Sequence, residues 1–312
     1  MNVQKPVDIT GLGVSTIDFF NVVDHFPDKE EVQKAERIDL DGGGPVATAI
    51  ATAARLGAKT AMIDSIGDDW KGKLILEGFI SGGVDINSIT ITKDSTSSIA
   101  TILVRNNDGA RTIIFSPGNA PELTEETIPL PIIAESKYLH MNGRHFSACM
   151  AGAAYAKKHG TKVSFDGGAH RYREELRPLV PLTDVCIVSR NFATAYTNTN
   201  KIPKAGTALL QEGPAIVVIT DGVHGSYLFT HEISCHHQPA FKVTNVADTT
   251  GCGDSFHGAF LYGLCNNFDL YKTISFASAV AALNSLSLGG RKGLPDYDTV
   301  INFLSERQIT NG

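Results

Sequence analysis

The chain has 312 residues, 42% hydrophobic and 19% charged, the make-up of an ordinary globular protein long enough to bury a large core. Its net charge of −6, without long runs of like charge, argues against the basic face of a nucleic-acid partner. Five scattered cysteines without a C-x-x-C pair argue against a disulfide framework or zinc ribbon, and the lack of long apolar runs predicts a cytoplasmic protein with no membrane partner.

In chain order, residues 7–13 read as a strand, 45–56 as an Ala-rich helix ended by Gly57, and 59–66 as the next strand. Short apolar runs of the kind buried in parallel sheets recur at 137–141, 162–165, 185–188 and 215–219. Helical patterns at 147–159 and 204–212 lie between them, and a nearly unbroken helical pattern runs from 254 to 287. Residues 19–41 and 95–116 break the rhythm. They read as alternating strands, the second stretch as 99–104, a turn at 106–109, and 112–115. The expectation is one α/β domain over 1–312, a doubly wound, mostly parallel sheet flanked by helices. A small antiparallel lid would come from about 14–42 and 95–118.

The most informative segment runs from Val246 to Phe260. A strand ends near Asp248, Gly251-Cys252-Gly253 makes a tight turn, and a helix begins at about Asp254. Glycines allow close backbone approach to a ligand, and the free amides of a helix start form an anion site. Asp254 there is placed to accept a proton during phosphoryl transfer, which needs little beyond positioning, charge stabilisation and a base. It reads equally as a helix cap, and the helix dipole is expected to lower its pKa. A second glycine run, Gly42-Gly43-Gly44, opens the Ala-rich helix; it is neither a P-loop nor a dinucleotide fingerprint. Asp18 follows the first strand, where a carboxylate can hold sugar hydroxyls, although it reads as well as a turn residue. Gly222 and Gly225 follow the strand ending in Thr220, a loop able to bracket a nucleotide or simply to turn the chain.

Together these segments resemble the ribokinase-like (PfkB) carbohydrate kinases over essentially the whole chain. The resemblance rests on Gly43-Gly44 leading to Ala53-Ala54-Arg55-Leu56-Gly57, on Ile66-Gly67-Asp68-Asp69, and on Asp248-Thr249-Thr250-Gly251-Cys252-Gly253-Asp254, with Cys252 where the family usually has Ala. It implies Asp254 as base, the amides of Gly251, Cys252 and Gly253 as anion hole, and Asp18, Gly43 and Gly44 as sugar contacts. Asn191, Thr220, Gly222, Gly225 and Ser278 would serve ATP and its Mg2+. Asp248, Thr250, Ser287 and Gly289 would fall at a monovalent-cation site, usually potassium. The lid implies a homodimer. Two departures stand out: Thr48 replaces an Asn in the first motif, and Thr194 replaces the Glu of N-x-x-E.

Within that family, the runs 42–49, 237–243 and 289–293 resemble the sulfofructose kinases, and Arg144 lies where such an enzyme offers an Arg to a sulfonate. Phe115 and Val32 depart from that pattern, so a neutral sugar fits equally. A nucleoside kinase of the same family and a non-catalytic sugar-binding regulatory protein are the alternatives. Cys235-His236-His237 reads poorly as a metal site, because adjacent strand residues face opposite ways. His145 and His257 read as packing residues before catalytic ones. Cys252 at the helix start reads as a small residue or a reactive thiol.

Overall fold

The computed structural model describes residues 5–107 and 109–309. The first half contains strands β1 (Val7–Leu12), β2 (Thr16–Val23), β3 (Arg37–Gly43), β4 (Thr60–Gly67), β5 (Val84–Asp85), β6 (Ile89–Thr92), β7 (Ser98–Arg105) and β8 (Arg111–Ser116), with helices α1 (Pro45–Arg55) and α2 (Trp70–Ser81). The second half adds α3 (Leu130–Ala134), β9 (Ser136–Met141), α4 (Phe146–Lys158), β10 (Lys162–Gly167), β11 (Val185–Ser189), α5 (Arg190–Thr197), α6 (Ile202–Gln211) and β12 (Ile216–Thr220). Two short strands, β13 (Ser226–Phe229) and β14 (His236–Gln238), precede α7 (Cys252–Cys265), α8 (Leu270–Asn284) and α9 (Tyr297–Ile309).

Ten strands form the main sheet in the order β14-β13-β12-β11-β10-β9-β1-β4-β5, with β6 also on β4. All neighbours are parallel except the β12–β13 and β13–β14 pairs. Both faces are covered, so alternate residues of one strand enter different cores. Cys186 and Val188 of β11 pack with the α4 and α6 residues Ala153 and Leu209. Val185 and Ile187 pack on the other face with Phe256, Phe260 and Phe276 of α7 and α8. Helix α1 starts with Pro45 at its first position, where the missing N–H costs nothing, and lies against α7.

The sequence expectation of a flap beside the main sheet holds, with one difference. The second sheet, β3-β2-β7-β8, is mixed, because β2 and β7 run parallel over eight paired residues. Residues 24–36, expected to continue the alternation, contain no strand; the charged run Asp28 to Glu31 has no apolar partner positions to fill. Likewise the helical pattern 254–287 breaks at 266–269, where Asp269 caps α8 by accepting the Lys272 amide at 2.9 Å. The turn expected at 106–109 includes residue 108, which lies outside the described residues.

Cross-strand register gives the small sheet two distinct faces. Asp41, Asp18, Ala100 and Phe115 form one row. The next row, Leu40, Phe19, Thr101 and Ile114, points the other way. Phe20, Ala100, Ile102 and Val104 on the first face pack against Leu288, so this face looks toward the main body.

Phe260 is fully buried in the core that holds α7 against the sheet. Phe260→Ala is expected to cost about 3–5 kcal/mol of stability, read from the midpoint of a denaturant melt.

Candidate active site

Strand β10 ends in Asp166-Gly167, β11 in Ser189 and β12 in Thr220, so their carboxyl edges and the loops beyond form one rim of the main sheet. Opposite that rim, the small sheet brings Asp18 and Asp41 over the start of α7.

The turn before α7 depends on its glycines. Gly251 has φ of 73°, and a Cβ there would stand 2.7 Å from Gly290, so neither the backbone angle nor the space admits a side chain. A Cβ on Gly253 would meet nothing within 4 Å, which leaves the turn facing open space. The amides at the opening of α7 have no preceding helical turn to supply acceptors. The Cys252 amide is the exception, reaching the Thr249 carbonyl at 3.4 Å.

Asp254 is half-buried at this helix start. Burial pushes its carboxyl up, while Arg171 pulls it down, Asp166 raises it, and His257 and Arg111 lower it. The expected lowering by the helix dipole is thus overruled by loss of solvent. Asp18 is 7% exposed and is pushed up to about 6 by burial. The Thr16 hydroxyl, donating to it at 2.6 Å, and Arg291 oppose that rise, whereas Asp41 and Asp254 add to it. Asp18 and Asp254 therefore lie within electrostatic reach of each other. Gly43 adjoins them: a Cβ there would fall 2.1 Å from the Asp18 carboxylate. Gly44, at φ of 89°, caps α1 beside it.

Asp248 is fully buried. Its Oδ1 accepts from the Thr250 amide at 2.9 Å and hydroxyl at 2.8 Å, and its Oδ2 accepts from the Gly289 amide at 3.2 Å. No cationic side chain is within ion-pair distance among the described residues. A buried carboxylate with no cationic side chain beside it suits a monovalent cation. Ser287 lies on the adjoining turn, its amide bonded to the Asn284 carbonyl at 3.3 Å, not to Asp248.

On the other side, Asn191 occupies the first turn of α5, its Oδ1 accepting from the His170 amide at 2.9 Å. Thr220 is the register partner of Ser189, one residue before that helix, so these two stand side by side. Gly222 and Gly225 form the turn after β12, and Gly222 faces open space. Ser278 is buried on α8, which packs on β13 and β14; no hydrogen bond ties it to Thr220. Arg144 lies at the rim, its guanidinium 5.8 Å from the Phe115 ring centroid and 3.9 Å from Glu122.

Two residues left with open readings by the sequence are narrowed. Burial pushes the Cys252 thiol up to about 12, the opposite of a helix-start activation, so it is a small packing residue. His145 accepts the Leu123 amide on Nδ1 at 3.1 Å, which puts its proton on Nε2, 3.0 Å from Asp64 Oδ1. It is a structural pin. Sequence reasoning overlooked Arg291, whose amide donates to Asp41 at 2.8 Å and whose Nη2 donates to the Gly43 carbonyl at 2.6 Å. It also overlooked Arg111, which bonds the Thr249 hydroxyl from the lid, and Asp166. Only the position of Asp166 at a strand's carboxyl edge could have signalled it.

The family model "pfkB family carbohydrate kinase" matches residues 8–296. The chain is 26% identical to a nucleoside kinase of Methanothermobacter thermautotrophicus, covering 93% of each chain. It is also 26% identical to a 5-dehydro-2-deoxygluconokinase of Clostridium tetani, over 99% of this chain and 96% of that one. Among solved structures, a putative ribokinase II from E. coli in complex with ATP and Mg2+ superposes with a TM-score of 0.84 at 20% identity, covering 96% of this chain and 99% of that one. With a family model spanning nearly its whole length and the same ribokinase-like architecture, this chain belongs to the pfkB family of carbohydrate kinases.

Proposed function

We propose that this protein transfers the γ-phosphoryl group of ATP to a hydroxyl of a ketose-like sugar. The observation that carries the reading is the convergence of Asp18 and Asp254 on one recess at the mouth of the Gly251–Gly253 turn. Asp18, with Gly43 and Gly44 behind it, would hold sugar hydroxyls. Asp254 would take the proton of the attacking hydroxyl, and its raised pKa brings it nearer working pH and makes it a better acceptor. The amides of Gly251, Cys252 and Gly253 would stabilise the transferring group. Bound ATP with Mg2+ would supply that group and neutralise its charge, held by Asn191, Thr220, Gly222, Gly225 and Ser278; the E. coli relative carries both. Thr194, in place of a Glu, would leave the metal's waters more loosely ordered. Potassium at Asp248, Thr250, Ser287 and Gly289 would brace the anion-hole turn.

A neutral ketose is favoured over sulfofructose. Arg144 is shared with Glu122 and Phe115, and Val32 is fully exposed, so a sulfonate would find one compromised cation to offset its desolvation. A nucleoside is the second reading. Phe115 shares the cross-strand row of Asp18, an aromatic surface beside the sugar site, and one relative is named a nucleoside kinase. ATP consumption across neutral ketoses, sulfofructose and nucleosides decides among them: turnover of sulfofructose alone, or of nucleosides alone, overturns the ketose assignment, and silence across the panel overturns kinase activity.

Asp254→Asn is expected to lower kcat by several orders of magnitude while sugar binding, read by calorimetry, stays within a few-fold; lost binding would make it structural. Wild-type turnover should fall with acidification through a pKa above the ordinary carboxylate range. Asp18 has a folded pKa of about 6, above its unfolded value, so its ionised form opposes folding. That penalty is complete above about pH 6 and vanishes below about pH 4. Asp18→Asn should therefore stabilise the protein by about 1–3 kcal/mol at pH 7.5, lose that gain near pH 4, and raise the KM for sugar.

We also propose a homodimer through the outer lid face, where Ile38, Leu40 and Ile114 are exposed at 59%, 42% and 62%. Leu40→Asp with Ile114→Asp is expected to halve the mass seen by sedimentation; a wild-type monomer refutes the assembly.

A further inference from the structure

Behind Asp254, three side chains meet that have no direct contact role in the chemistry above. His140 of β9, Asp166 of β10 and His257 of α7 are all buried, and one ligand atom from each lies within 4.8 Å of the others. His140 Nε2, Asp166 Oδ1 and His257 Nδ1 have no hydrogen-bond partner, so each of the three residues carries an orphaned polar atom. From this geometry we infer a metal site: His140, Asp166 and His257 form a three-ligand pocket for a borderline divalent transition ion, of which Zn2+ is the type.

Three features separate this pocket from a chance meeting of polar groups. First, two of the three residues have their other polar atom already held. His140 Nδ1 is 3.1 Å from the Ser164 hydroxyl, which leaves Nε2 to point inward, and Asp166 Oδ2 is 3.4 Å from Arg171 Nη1. Ligating imidazoles and carboxylates are characteristically oriented by such outer partners. Second, the two imidazoles stand together, their ring centroids 5.4 Å apart and tilted by 45° to each other. Third, the charge needs an answer. Asp166 is buried, and its guanidinium partner Arg171, 3.4 Å away, is 42% exposed to solvent, whereas a bridging water would satisfy lone pairs without neutralising the carboxylate. Two nitrogens and one carboxylate oxygen match the donor set of zinc sites that keep one open position. Tetrahedral binding brings donors to about 3.3 Å apart. His257 Nε2 already stands 3.5 Å from Asp166 Oδ1. An ion here would tie α7, three residues past Asp254, to the sheet.

The test is calorimetric titration of chelator-stripped full-length protein with Zn2+, with Co2+ substitution as a spectroscopic readout. One site per chain is expected, weakened on the order of a hundredfold or more by His140→Gln or His257→Asn, with a rise in Tm on Zn2+ addition. The exposed Cys235 and the half-buried His236 supply the control: Cys235→Ser with His236→Ala should leave the site intact. If a core variant fails to fold, the wild-type Co2+ spectrum decides. Nitrogen and oxygen ligation without thiolate charge-transfer bands supports the pocket. No stoichiometric binding, thiolate bands, or loss of binding in the Cys235→Ser/His236→Ala protein overturns it.

Discussion

The loop through Gly289 and Arg291 is gripped from two sides by carboxylates. Asp248, fully buried in the main body, accepts the Gly289 amide, and Asp41, on the small sheet, accepts the amides of Arg291 and Lys292. Asp248 also holds Thr250, directly before Gly251, so a single buried side chain fixes both the glycine turn and the loop that receives the small sheet. Gly290 presses on Gly251 closely enough to exclude any side chain there. Most of the candidate site inherits its geometry from this clasp, because a buried carboxylate left without these donors would cost several kcal/mol.

Arg291 extends the clasp into electrostatics. Burial lowers its pKa, and Asp41, Asp18 and Asp254 oppose that by holding it charged. Its guanidinium also reaches the Thr48 hydroxyl at 3.2 Å, where the family pattern has an Asn. Thr48 is thereby committed to supporting Arg291. The recess thus contains three carboxylates sharing a few guanidiniums, an arrangement that disfavours folding while raising the proton affinity of two acids. Such strain is typical of sites where stability has been exchanged for reactivity.

The small sheet joins two needs through one alternation. Its inner rows place Asp18 and Phe115 over the recess, while its outer rows expose Leu40 and Ile114. Because the side-chain period is two, a one-residue slip of β2 would exchange the faces and remove Asp18 from the site. The pairing of Phe20 and Ile102 against Leu288 holds that register.

Much of this was legible in the amino-acid order, and for definite reasons. Runs such as Val185 to Val188 are apolar on both alternations because both faces of the sheet are covered, and the glycine turn before Asp254 announces itself because no other residue tolerates that backbone and that contact. Local chemistry therefore determined the parallel core, the lid's existence and the Asp254 helix start. What only the tertiary structure decided were matters of distance between segments far apart in the chain. Asp41 meets Arg291 across 250 positions, β2 pairs parallel with β7, and His140, Asp166 and His257 converge from two strands and a helix. The rise in the Asp254 pKa belongs to the same class: the helix dipole is a local property readable from sequence, but desolvation depends on what the rest of the chain packs around it.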